Sequence, residues 1–284
     1  MIYRELTLKE INPRLPEPKT PCRIYAYLHE LSENYGRPDH RRPAVIVVPG
    51  GGYYFTSDRE AEPIVFQFLA EGYNVFLLRY SIEPERYPTS LLQLTGLISH
   101  IRLNADKYNV MPDKIATCGF SAGSHLSASA GILWKEPVVS ETLGVDGRLC
   151  RQDAMILSYP VVNSHEFAHR RSFDFLLGKN RNDEQWLNRM SLETRVHPDV
   201  PPAFIWHTYS DELVPVENSL LLATALRKAN VPFELHIFPD GVHGLSLANE
   251  FTRDPNRNDH IEPAVQCWID LAKIWLEGIF EDKE

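Results

Sequence analysis

Long apolar runs are missing from this chain of 284 residues. None approaches the roughly 18 consecutive apolar residues that a membrane-crossing helix requires, so no membrane partner is expected. No leader is expected either: Met1-Ile2-Tyr3-Arg4-Glu5-Leu6-Thr7 has no basic stretch followed by an apolar core. Positive charge is short, with 29 Lys and Arg against 38 Asp and Glu and a net charge of −9, which disfavours nucleic acid and anionic membranes as partners. Cysteine is scarce: Cys22, Cys118, Cys150 and Cys267 lie far apart without metal-ligand spacing. They are expected to be reduced thiols of a cytoplasmic protein, with Cys118 a small buried side chain. No metal and no cofactor is expected. Repeats and low-complexity segments are also lacking.

What is present is an alternation of short β-branched runs with helical patterns. Residues 44–48, 74–80, 114–118, 154–158, 203–207 and 233–238 are apolar on consecutive positions, as parallel strands buried on both faces require. Residues 23–28 alternate and are expected to form an antiparallel edge strand. Ser57 and Glu60 have capping-box spacing, opening a helix to about Gly72 whose first turn Pro63 could split off. Helices are expected over about 88–108 and 215–230. Near the C-terminus Val265, Trp268, Ala272, Trp275 and Ile279 form one stripe. The rhythm predicts an α/β chain: one mostly parallel central sheet with helices on both faces, a single domain over 1–284. Residues 161–200 break it. They are expected to form a small helical, cap-like insertion, either a surface excursion or a moving lid.

Gly119-Phe120-Ser121-Ala122-Gly123 matches G-x-S-x-G, and it sits between a predicted strand and a predicted helix, the setting that motif needs. The tight turn exposes the Ser121 hydroxyl at a helix N-terminus, where developing negative charge is favoured. Ser121 is therefore the expected nucleophile. Its oxyanion hole is expected from the Ala122 N–H and from Gly51 and Gly52 in the loop after strand 44–48. In this arrangement the acid and then the base follow the serine along the chain. His243, in a glycine-flanked loop after the last strand, is the expected base. His169, His197, His207 and His236 are less suited, and His125 is expected to pack on the elbow helix. Asp211, opening the loop after strand 203–207, is the expected acid, with Glu212 as substitute and Asp240 a turn residue. Tyr53 and Tyr54 follow the glycines and are candidates to border the substrate.

These segments, together with Leu78-Arg79-Tyr80-Ser81, Ser158-Tyr159-Pro160-Val161 and the stretch from Pro201-Pro202 to Asn218, resemble the acetyl esterase and acetylxylan esterase-like branch of the α/β-hydrolases, related to the hormone-sensitive-lipase group. The resemblance runs from about residue 40 to 275. It departs at Ser124, where the branch has glycine, and at Pro49, where the oxyanion loop has histidine. It implies an α/β-hydrolase fold and a serine carboxylesterase acting through Ser121, His243 and Asp211. The implied substrate is a small short-chain ester, acetyl above all, carried on an acetylated sugar such as a xylo-oligosaccharide. An arylformamidase-type amidase, a peptidase of the prolyl oligopeptidase kind and a non-catalytic relative are the competing classes. The peptidase is not expected, because that kind usually carries an extra N-terminal domain for which these 284 residues leave no room, and the complete set Ser121, Asp211 and His243 counts against the non-catalytic relative. A homodimer is left open.

Overall fold

A computed structural model describes residues 1–30 and 41–281. Eight strands form one sheet: β1 (Ile2–Leu6), β2 (Arg23–Leu28), β3 (Arg42–Val48), β4 (Asn74–Arg79), β5 (Val110–Phe120), β6 (Ala154–Ser158), β7 (Ala203–Thr208) and β8 (Phe233–Phe238). Their order is β1-β2-β4-β3-β5-β6-β7-β8. β1 and β2 run antiparallel to their neighbours, and every other pairing is parallel. This is the α/β-hydrolase sheet. Strand 23–28 is antiparallel as expected but does not form the edge; β1 does. β1 has a single buried residue, Leu6, so its sequence carries no apolar run.

Alternation along the strands sorts the core into two layers. On β3, Ile46 and Val48 join Leu126 of the helix Ala122–Ile132, Leu97 of Thr89–Leu103 and Leu222 of Glu217–Lys228. Val45 and Val47 face the other way, onto Val65 and Phe68 of Glu62–Ala70 and Trp268 and Leu276 of Trp268–Phe280. Each such buried aliphatic or aromatic side chain contributes about 1.5–3 kcal/mol through the apolar area it removes from water. β8, at the edge, is only partly buried.

Several helical details differ from expectation. Pro63 does split the second helical segment, into a 3-10 turn at Asp58–Glu60 and the helix Glu62–Ala70. The capping box is not made: Ser57 gives no side-chain cap, and Glu60 is buried. The segment 88–108 divides into Thr89–Leu103 and Ala105–Tyr108. In the last helix the buried set is Trp268, Ile269, Ala272, Leu276 and Phe280, whereas Trp275 and Ile279 are only partly buried. The residues between β6 and β7 hold the helices Arg170–Leu177 and Glu184–Met190. Phe173, Leu176, Leu177, Leu187 and Met190 are buried in the same core. The Tyr87 N–H also donates to Leu176 O at 2.9 Å. The insertion is thus fastened to the body of the fold. No helix among the described residues is long and apolar enough to cross a membrane.

Candidate active site

β5 ends in the turn that carries Ser121, and the turn permits only glycine at its flanks. A Cβ on Gly119 would lie 2.6 Å from Gly123 O, and one on Gly123 would lie 2.1 Å from Val48 O. Between them Ser121 takes φ 52, ψ −117, in the left-handed half of backbone space that a non-glycine residue enters only under strain. The strain presents Oγ beyond the C-terminal edge of the sheet at the start of the helix Ala122–Ile132. Ser124, where glycine was expected from the resemblance, turns its hydroxyl inward and donates to Ser158 O at 3.0 Å.

Two other strand ends complete a hydrogen-bonded chain. His243, in the loop after β8, brings Nε2 to 2.8 Å from Ser121 Oγ, and its Nδ1 lies 2.6 Å from Asp211 Oδ2. Asp211, in the loop after β7, accepts backbone N–H groups of Leu213 and Val214 on its other oxygen, at 3.0 and 2.9 Å. His207 Nε2 approaches the same Oδ2 at 3.2 Å. Burial alone would raise the Asp211 carboxyl. Hydrogen bonds from His207 and His243, the charge of His243 and the Val214 N–H outweigh it and hold the group well below the usual carboxylate range. Asp211 therefore stays charged, where it can fix the His243 tautomer. Glu212 and Asp240 are exposed, and His197 and His236 are bonded to Ile132 O and Glu234.

The loop after β3 supplies the opposite wall. Gly51 (φ 128) has no room for a Cβ, which would meet Phe55 O at 2.1 Å; one on Gly52 (φ 63) would make only ordinary contacts, the nearest being Ser172 Oγ at 3.6 Å. The N–H groups of Gly51, Gly52 and Ala122 form no hydrogen bond with another described residue, so they are available at the site. The neighbouring Gly50 N–H donates instead to Glu60 Oε2 at 2.8 Å. The other Glu60 oxygen accepts the Tyr159 hydroxyl at 2.6 Å. The Tyr159 ring packs edge-on against His243, with centroids 5.0 Å apart. Burial, and then the charge of Glu60, raises the Tyr159 phenol far above its ordinary value, so it remains a donor. Glu60 and Tyr159 are positioning residues that a motif search does not single out. The Glu60 spacing suggested a cap, and Tyr159 stood only in a segment of resemblance.

A cavity of about 520 Å³ opens over Ser121 and His243. Gly51, Gly52, Tyr54 and Phe55 line one side; His169, Arg171 and Phe175 of the insertion line another. Tyr54 stacks on Phe175 at 5.0 Å, with the Arg171 guanidinium 5.5 Å from both rings. Tyr53 does not border the cavity. Its positive φ of 62 turns the ring into the core against Tyr80, and its hydroxyl meets His125 Nδ1 at 2.8 Å. His125 is fully buried, bonded at Nε2 to Met190 O at 3.1 Å, and burial lowers it to about 4. It packs on the elbow helix. Cys118 is buried beneath the site. Among the described residues no group of three or more His, Cys, Asp or Glu is arranged to hold a metal ion.

This geometry can be set beside known proteins. Residues 35–226 match the BD-FAE family. The chain belongs to the BD-FAE family of α/β-hydrolases. It is 38% identical over 235 residues to endo-1,4-beta-xylanase B of Butyrivibrio fibrisolvens, covering 80% of this chain and 35% of that protein. It is 28% identical over 213 residues to an acetylxylan esterase of Xylanibacter ruminicola, covering 73% and 42%. The chain thus spans about a third to a half of the length of these curated relatives. Solved structures match over nearly their full length. An acetyl ester-xyloside bifunctional hydrolase from Caldicellulosiruptor lactoaceticus superposes with a TM-score of 0.78 at 36% identity, covering 92% of this chain and 89% of that one. The carboxylesterase Cest-2923 of Lactobacillus plantarum gives 0.82 at 28% identity, with both chains covered completely. The BD-FAE chain described here therefore shares its fold with esterases along its whole length.

Proposed function

We propose that this BD-FAE chain is a serine carboxylesterase that hydrolyses short-chain acyl esters, acetyl first among them, including acetyl groups carried by xylo-oligosaccharides. The observation that carries the reading is the unbroken chain Ser121 Oγ, His243 Nε2 and Nδ1, Asp211 Oδ2, with links of 2.8 and 2.6 Å, beneath an open cavity. His243 takes the Ser121 proton as Oγ attacks the ester carbonyl. The oxyanion is received by the N–H groups of Gly51, Gly52 and Ala122, aided by the elbow helix dipole. His243 then gives the proton to the leaving alcohol oxygen, an acyl-serine remains, and water attacks it by the same route in reverse. Asp211 keeps the imidazole oriented and balances its charge. The exposed ring of Tyr54, backed by Phe175, offers a platform for a sugar ring. Acetyl esters of xylan-derived sugars are favoured as substrates by the name of the acetylxylan esterase relative.

The test is the hydrolysis of p-nitrophenyl esters from acetate to octanoate by wild type and by Ser121→Ala. Activity concentrated on acetate and butyrate, and reduced by roughly four orders of magnitude or more in the variant, is the expected result. An inactive wild type, or a variant that keeps its rate, overturns the reading and turns attention to formyl amides.

A further inference from the structure

His169 belongs to no part of the machinery described so far, yet it lines the cavity over Ser121. It immediately precedes the insertion helix Arg170–Leu177. Its Nδ1 lies 2.8 Å from Ser172 Oγ, and Ser172 is fully buried. A buried hydroxyl spends its hydrogen on an acceptor within reach, and Ser172 Oγ has no other partner among the described residues. Ser172 therefore donates to Nδ1. The neutral ring carries its hydrogen on Nε2, which bonds to no described residue. Burial first, and then the charges of His243 and Arg171, lower the His169 ring to about 4, so it is uncharged at neutral pH. The ring also stands over the oxyanion loop: its Cε1 is 3.8 Å from where a Gly52 Cβ would be. An N–H donor is thus held beside the Gly52 loop, in the cavity that His243 also lines.

We propose that His169 Nε2–H is the contact that selects the alcohol half of the substrate, donating to a hydroxyl oxygen next to the ester so that acetylated polyols are preferred over simple alkyl or aryl acetates. This rests on the esterase reading above. The leaving oxygen takes its proton from His243 Nε2, so the alcohol lies on the His243 side of the carbonyl. His169 and His243 line the same cavity, and the alcohol half lies in it on the His243 side. The neighbouring carbon of a vicinal diol carries an oxygen within one hydrogen bond of the leaving oxygen. A phenol or simple alkanol has nothing there, and a fixed donor left without its acceptor discriminates against it.

The experiment uses three acetates: p-nitrophenyl acetate, a monoacetylated methyl xyloside with a free hydroxyl beside the ester, and the same xyloside deoxygenated at that hydroxyl. Wild type is expected to prefer the hydroxyl-bearing xyloside over its deoxy analogue by about tenfold in kcat/KM. His169→Leu should lose about that factor on the hydroxyl-bearing substrate alone. His169→Gln, which keeps an N–H donor, should recover part of it. A wild type that does not distinguish the two xylosides overturns the proposal whether or not any variant folds. So does a His169→Leu loss that is equal on all three acetates, which marks an oxyanion or structural role. A wild type inactive on every acetate instead overturns the esterase reading, and this inference with it.

Discussion

Tyr159 donates its phenol hydrogen to Glu60 Oε1 at 2.6 Å, across 99 residues of chain. The pair ties the glycine loop after β3, through the Gly50 N–H on Glu60, to the loop that carries His243, through the Ser246 N–H that donates to the same phenol at 3.1 Å. Tyr159→Phe keeps the ring against His243 but strands a buried carboxylate oxygen and the Ser246 N–H. Melting temperature is expected to fall by several degrees, for a loss of about 2–3 kcal/mol. The kcat/KM on p-nitrophenyl acetate should drop roughly tenfold, equivalent to about 1.4 kcal/mol of lost transition-state stabilisation. Unchanged kinetics beside a lowered melting temperature would confine Tyr159 to packing.

Asp211→Asn places an amide donor where the carboxylate takes the His243 Nδ1–H. The imidazole must then either lose that bond or adopt the wrong tautomer, with Nε2 unable to accept the Ser121 proton usefully. The expected loss in kcat is about 10⁴-fold with a small change in KM. Because the Asp211 carboxyl is held below its unfolded value, its stabilising contribution is present above about pH 4 and is lost as pH falls further. A stability titration should show that acid-side loss in wild type and a smaller one in the variant.

The glycines beside the site separate strain from collision. Gly123→Ala puts a Cβ 2.1 Å from Val48 O, and Gly51→Ala puts one 2.1 Å from Phe55 O; both collide with backbone. Each is expected to lose several kcal/mol or fail to accumulate as folded protein. Gly52→Ala has the left-handed strain without the collision, its nearest neighbours being Ser172 Oγ at 3.6 Å and His169 Cε1 at 3.8 Å. Its cost should be about 1 kcal/mol. Circular dichroism melts of the three variants rank them.

His125 is neutral and fully buried, held from its ordinary 6.5 down to about 4 by desolvation. Its folded value lies below its unfolded one, so the unfolded chain binds the proton first as pH drops. Stability is fully retained above about pH 6.5 and declines towards pH 4, by roughly 3 kcal/mol from this residue. His29, His100, His169 and His260 are lowered in the same direction, by burial first. Urea midpoints between pH 7 and 4.5 should therefore shift steadily down. His125→Gln should flatten part of that slope, and an identical slope would assign it to other groups.

The parts of the site written in local patterns were legible before any coordinates. The G-x-S-x-G turn needs glycines for reasons of backbone contact alone, and strand-end loops are where His243 and Asp211 had to sit. Tyr53 was misplaced because adjacency to the glycines says nothing about the sign of φ, and a positive φ turned its ring inward. Glu60 was read as a cap because its spacing suits one, but its carboxylate is used by Gly50 and Tyr159 from distant segments. The C-terminal helix was assigned a stripe through Trp275 and Ile279, although Leu276 and Phe280 face the sheet. Both sets repeat at helical spacing, and only the packing angle decides between them. β1 hides because an edge strand with one buried residue has no apolar run. His169 and Arg171 escaped as cavity residues because the apolar spacing of Phe173, Leu176 and Leu177 marks only the face that packs on the core and leaves unspecified which polar side chains border the cavity.

Ser121 and His243 hydrogen-bond across 122 residues of sequence, and Asp211 reaches the same point from a third strand end. Such a junction has high contact order: Ser121 meets His243 only after β7 and β8 have docked on the parallel sheet. Compaction of the segment up to β6 can precede it. On refolding, recovery of hydrolytic turnover should consequently lag behind the return of helical signal, making the Ser121–His243 contact a clock for the last stage of assembly.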